Sequence, residues 1–240
     1  MFDTRDMAGV DRMGAAQLQE VVARTRPVVH AGEQVLPLLP GLAGLLPGAG
    51  LRRGSTVAVT PGAAATSLAL AVAAGPSRAG SWCAAVGWPS LGLVAAVEAG
   101  IDLARFPLIA APASGPEWAS VTAAVVDAFD IVLVLPPLRV GAAHARRLTA
   151  RARERGSVLL VVGAWEGADV RLAVRQATWH GLERGHGHLR ARLVDVVTEG
   201  RGAAARPRRM SLWLPDADGE VRRQAAAPRP VARGEVRVAG

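Results

Sequence analysis

Three histidines crowd one short stretch, Trp179-His180-Gly181-Leu182-Glu183-Arg184-Gly185-His186-Gly187-His188. Imidazole nitrogens suit Zn²⁺ and Ni²⁺, but a metal site also needs a fourth ligand and groups behind the ligands that orient them. Sequence places neither Cys83 nor an acid beside them, so the tract reads as a Gly-rich hairpin turn and no metal is expected. The nucleophile candidates are Ser67, Ser90 and Cys83. No Gly-x-Ser-x-Gly elbow occurs, and no Ser-His-Asp order has a supporting context. Cys83 falls inside an apolar strand pattern, where a thiol is structural and not reactive. Asp195 and Glu199 form no convincing acid pair. These residues predict a protein that binds and does not catalyse, with no cofactor.

The basic residues say more. All 28 are arginines, no lysine or tyrosine occurs, and the net charge is +8. A chain without lysine has no Schiff-base lysine, no lysine general base and no phosphate-loop lysine. Arg146, Arg147, Arg151, Arg153 and Arg155 fall in one helical pattern with His144, a phosphate-tracking patch or a solvated face. Arg206, Arg208 and Arg209, followed by Arg222 and Arg223, make the C-terminal part basic. They are the residues expected to meet an acidic partner or, non-specifically, DNA.

The elements that carry these residues follow from the apolar pattern. Half of the 240 residues are hydrophobic and only 4% aromatic, so the core is built from Ala, Val and Leu. Residues 13–29 place Leu18, Val21, Val22 and Thr25 on one helical face. From 55 onward, strands at 55–60, 81–87, 106–112, 130–136 and 157–163 alternate with helices at 67–74, 91–98, 117–128 and 140–154. In the third helix Trp118, Val121, Ala124 and Val125 are expected inward. The fully apolar runs 130–136 and 157–163 read as strands covered on both faces. This order implies an α/β fold with a parallel sheet between helices. Residues 168–174, 188–197 and 208–216 then read as antiparallel strands closing one edge. Three parts are expected: 1–34, an N-terminal helix and connector; 35–216, the core; 217–240, a basic flexible tail. A single cysteine excludes an internal disulfide. The N-terminal stretch lacks an apolar signal core, so a cytoplasmic protein without a membrane span is expected.

The segment Gly50-Leu51-Arg52-Arg53-Gly54, the strand 55–60 and Pro61 resemble the opening of the RecA-type recombinase core. Ser81–Val86 and Asp130–Val134 are similar to two later elements of that family. The resemblance implies a RecA-like, P-loop-type core over about 35–216. The departures are specific. Aligned with G-x-x-x-x-G-K-[ST], the chain reads Thr60-Pro61-Gly62-Ala63-Ala64-Ala65-Thr66-Ser67. Thr66 stands in the lysine position and only Ser67 keeps its type. Leu135 falls where the strand should end in a Mg²⁺-orienting Asp. Pro89 falls where the family's catalytic Glu is expected. The two gaps that would hold DNA loops, 136–139 and 163–167, are short.

A RecA-like core without these groups is similar to the ImuA/SulA-like group, most of all to actinobacterial ImuA-prime proteins. That resemblance implies a non-catalytic accessory role in the damage-induced SOS response and mutagenic translesion DNA synthesis. The implied partners are an ImuB-type inactive Y-family polymerase and an error-prone C-family polymerase. The alternatives are a degenerate nucleotide-binding protein that uses Arg52 or Arg53 for the missing lysine, a SulA-like cell-division inhibitor, and a plain basic DNA-binding module.

Overall fold

The computed structural model describes residues 35–112, 114–137, 140–183 and 186–225. The helix expected over 13–29 lies outside them. The chain opens with β1 (Val35–Pro37) and β2 (Gly50–Arg52), paired antiparallel in a two-stranded sheet. Leu36 of β1 and, between the two strands, Leu39, Leu42, Leu45 and Leu46 are buried. The Pro- and Gly-rich connector therefore works as a lid on the main body. Gly75 shows how closely it sits, since a Cβ there would stand 2.5 Å from the Pro37 carbonyl oxygen.

The main sheet has nine strands in the order β11-β10-β9-β8-β3-β7-β6-β4-β5. Its parallel centre is β3 (Thr56–Val59), β4 (Cys83–Val86), β5 (Leu108–Ile109), β6 (Ile131–Val134) and β7 (Val158–Val162). Every residue of β3, β4, β6 and β7 is buried, as expected of strands covered on both faces. Alternate residues of these strands enter two separate cores. Val57, Ile131 and Leu160 pack with α1 (Ala65–Arg78) and α2 (Leu93–Ala99). Ala58, Val132 and Leu159 pack with α3 (Gly115–Ala128) and α4 (Ala142–Arg155) on the other side. The α/β class, the mostly parallel sheet and its flanking helices are thus as the sequence implied.

Three details differ. Strand β5 has two residues, not seven, because Pro107 and Pro112 bracket it and proline donates nothing to a ladder. Helix α3 buries Trp118, Thr122, Val125 and Val126, whereas Ala124 faces solvent. The last strands are not all antiparallel: β8 (Val170–Glu183) runs parallel to β3 and antiparallel to β9 (His186–Gly200). Strand β10 (Arg208–Trp213) extends the antiparallel part, and β11 (Arg222–Arg223) pairs with it inside the stretch read as a flexible tail.

Strands β8 and β9 outrun their neighbours. β3 pairs with β8 only over Val170–Leu172, and β10 pairs with β9 only over Leu193–Thr198. Beyond those limits the hairpin continues as a two-stranded arm with exposed Trp179, Leu182 and Leu189.

Candidate functional site

The turn that resembles a phosphate loop runs from the end of β3 into α1. Pro61, Gly62 and Thr66 are exposed and Ser67 is half-buried in the first turn of α1. Ala64 takes the left-handed conformation, φ 65°, in which α1 begins. No side chain of the turn carries charge. A cation reaches it from elsewhere: Arg192 of β9 donates through Nη2 to Ser67 Oγ at 2.7 Å and through Nε to the Leu214 carbonyl at 2.8 Å. The guanidinium lies 4.8 Å from the centroid of the Trp179 ring. Among the described residues it has no carboxylate partner, and burial lowers its pKa from the ordinary arginine value. A cation beside the positive end of a helix dipole is an arrangement that favours an anion. Sequence reading missed Arg192, because 125 residues separate it from Ser67.

Arg52 and Arg53 do not serve this turn. They precede β3, at its opposite end, where Arg53 Nη1 bonds Asp130 Oδ1 at 2.7 Å. The proposed substitution of either for the missing lysine is therefore corrected.

Pro89 and Leu135, the other two positions that the sequence resemblance singles out, stand beyond the adjacent strands β4 and β6 and line one cleft. The turn at 61–67 is not part of that lining, because β7 separates β6 from β3. Trp88 and Trp165 are both buried. The Trp165 indole N–H donates to Thr149 Oγ1 at 3.0 Å and fills the space beside α4.

The other groups singled out by sequence fall as follows. Cys83 is buried, and burial, with the charge of Asp130 second, pushes its thiol up to about 12; Ser90 is exposed on the loop after β4. His180 packs edge-on against Trp213, and His188 Nε2 accepts from Arg190 Nε at 3.3 Å. Among the described residues no three His, Cys, Asp or Glu side chains cluster for a metal. The arginines of α4 are not a uniform patch. Arg151 and Arg155 both clasp Asp127 of α3, at 2.5 and 3.0 Å, and Arg153 approaches Asp169 at 3.5 Å. Arg146 and Arg147 remain outward. At the far edge Arg222 is bound to Asp216 at 3.0 Å and Asp218 at 3.5 Å. Arg208 donates to the carbonyls of Gly44 and Leu46. Arg206, Arg209 and Arg223 are exposed. No described helix is long and apolar enough to cross a membrane.

Residues 44–167 match the family described as MT3502 N-terminal domain, a stretch just over half of the chain. The chain belongs to that family. The MT3502 N-terminal domain match runs from the middle of the lid through β7 and so contains the turn at 61–67 and the cleft at Pro89 and Leu135. Arg192 and the arm lie beyond it. The chain is also 39% identical over 155 residues to the uncharacterised protein Rv3395c of Mycobacterium tuberculosis (strain ATCC 25618 / H37Rv). That similarity covers 64% of this chain and 66% of the relative's length.

Proposed function

We propose that this MT3502 N-terminal domain protein is a RecA-like accessory protein without ATPase chemistry. In this reading it scaffolds damage-induced, mutagenic translesion DNA synthesis in the cytoplasm and holds an ImuB-type inactive Y-family polymerase and an error-prone C-family polymerase. One combination supports it: on the RecA resemblance Thr66, Leu135 and Pro89 stand where a lysine and both acids would, and the strand-turn-helix layout is present around Thr66. Phosphoryl transfer needs the cation, the metal-holding acid and the water-orienting acid together, and a single cation supplied by Arg192 replaces one of three. The exposed arginines of the C-terminal edge, Arg206, Arg209 and Arg223, present the cationic surface to the partner or to DNA.

The test is genetic and biochemical. Deleting the gene should abolish ultraviolet-induced mutation while leaving the spontaneous rate unchanged. The triple reversal Arg206→Glu, Arg209→Glu, Arg223→Glu should lose recovery of the polymerase-like partner with the fold intact by circular dichroism. An unchanged induced mutation frequency in the deletion strain would refute the reading. Filamentation on overexpression, without an effect on mutation, would favour the division-inhibitor role.

Arg192 at Ser67 favours one second reading, a nucleotide or phosphate bound without hydrolysis. Calorimetry with ATP–Mg²⁺ tests it. Sub-millimolar binding that weakens about ten-fold or more in Arg192→Ala, as loss of a charge-assisted hydrogen bond would cause, would establish it.

A further inference from the structure

Past Trp213–Leu193, the last rung that β10 shares with β9, the arm opens with Trp179 opposite Arg192. The Arg192 guanidinium lies over the indole at 4.8 Å, yet 43% of Trp179 stays exposed. An indole held on one side by a cation and open on the other is a platform for a further flat ring. Arg190, two residues nearer the tip, is exposed and crosses Gly181, where a Cβ would stand 3.2 Å from Arg190 Cγ. Its side chain therefore lies beside the position two residues along β8 from Trp179, about 7 Å away.

The arm is basic for its size. Residues 175–193 hold four arginines, Arg175, Arg184, Arg190 and Arg192, against the single acid Glu183. Arg175 turns back to Glu199 at 3.5 Å. Arg192 uses Nη2 and Nε for Ser67 and Leu214, and the Nη1 donors of its fork are uncommitted among the described residues. Leu182 and Leu189, exposed near the tip, add apolar surface beyond the indole.

We propose that the arm binds single-stranded nucleic acid, with a base stacked on the open side of Trp179 and the neighbouring phosphodiesters on Arg190 and Arg192. Charge alone would suit a duplex or an acidic peptide as well. The exposed indole decides against a duplex, whose bases are stacked on one another and offer no free ring face. The strand edge decides against a peptide. A segment that joins a sheet needs a regular row of open N–H and C=O groups. Here Gly181 alone faces residues 188–190, between the pairs His180–Ala191 and Leu182–Gly187, a bulge that breaks the ladder. Stacking flanked by cations needs no ladder and tolerates any base, so the binding is expected to be indifferent to sequence.

The experiment reads the anisotropy of a fluorescein-labelled oligothymidylate of about fifteen nucleotides with full-length protein, between about 50 and 200 mM salt. An abasic sugar-phosphate strand, a duplex and an oligoglutamate, each of equal length, are the comparisons. Oligothymidylate is expected to bind about ten-fold more tightly than the abasic strand, the share of one stacked base. Trp179→Ala should erase that difference, and Trp179→Phe, which keeps a ring, should restore most of it, with both folds intact by circular dichroism. Arg190→Ala should keep the difference and lower the slope of log affinity against log salt by about 0.7. No binding of oligothymidylate at low salt, equal affinity for the abasic strand, or an unchanged preference in Trp179→Ala overturns the site. Tighter binding of the duplex or of oligoglutamate overturns the choice of ligand. Binding lost in the triple reversal at Arg206, Arg209 and Arg223 but unchanged in Trp179→Ala and Arg190→Ala moves the interface to the far edge and overturns the arm. None of these outcomes bears on the mutagenesis reading, which the deletion strain tests, or on the nucleotide reading, which ATP–Mg²⁺ tests.

Discussion

Single residues set the chemical limits of this protein. Asp127 holds two arginines, and hydrogen bonding to Arg151 keeps its carboxyl below the usual aspartate range. Its folded pKa is depressed, so the stability it adds is present above the unfolded value and disappears as pH falls through the folded one. All the partners are partly exposed, which confines the gain to about 0.5–1 kcal/mol. Asp127→Asn should therefore lower unfolding stability by that amount at pH 7 and by progressively less below about pH 4 in urea titrations. Cys83 gives a second check. With its thiol at about 12, native protein at pH 8 should resist iodoacetamide and react fully once unfolded. At this scale the residue types Thr66, Leu135 and Pro89 are read directly, and it is only their resemblance to a phosphate-loop motif that gives them the meaning of replacements. Arg192 was not, because its place beside Ser67 depends on the pairing of β9 with β8 and β8 with β3, a register that no local pattern encodes.

Among the elements, legibility followed burial. β3, β6 and β7 are apolar on both faces and stand out as continuous runs. β1 and β2, three residues each, and β5, two residues, are too short for any period to show. Helix α1 outlasts its expected end because it is packed all round, and tertiary contact carries it through Pro76 and Ser77. Its Gly75 permits a direct prediction. Alanine there gains about 1 kcal/mol of helix propensity but drives a methyl into the Pro37 carbonyl and Leu38 backbone, an overpacking worth about 1–3 kcal/mol. The clash is with backbone that cannot swing aside, so Gly75→Ala should be destabilising in thermal melts. The arm is the opposite case. The Gly-rich tract was read as the whole turn, yet the strands continue through Gly181 and Gly187 with register shifts at Val174/Gln176 and His180/Leu182. With no third strand beside it among the described residues, replacing residues 181–187 by Asn-Gly should leave stability within about 0.5 kcal/mol.

For the molecule as a whole the α/β class, the order of helices and the parallel core were readable, because each apolar run has one place to be buried. Which arginines are free was not readable. Several of the 28 arginines are held in internal pairs with Asp127, Asp130, Asp169 and Asp216, so the net +8 is displayed by those left outside such pairs. Non-specific DNA binding, if carried by the far edge, should weaken with salt, and the triple reversal at Arg206, Arg209 and Arg223 should flatten the slope of log affinity against log salt by about three.

The lengths of the outermost strands have a consequence for the protein in crowded solution. A sheet this wide and this apolar is a template for uncontrolled growth if its rim is long and flat. Here the rim is two residues on each side, prolines flanking β5 and arginines forming β11. Much of the other open backbone lies along the arm, where the register shifts kink the ribbon and spoil its match to a flat neighbour. Short, proline-flanked and arginine-bearing outer strands are the devices that limit edge-to-edge pairing of a sheet with so apolar a centre.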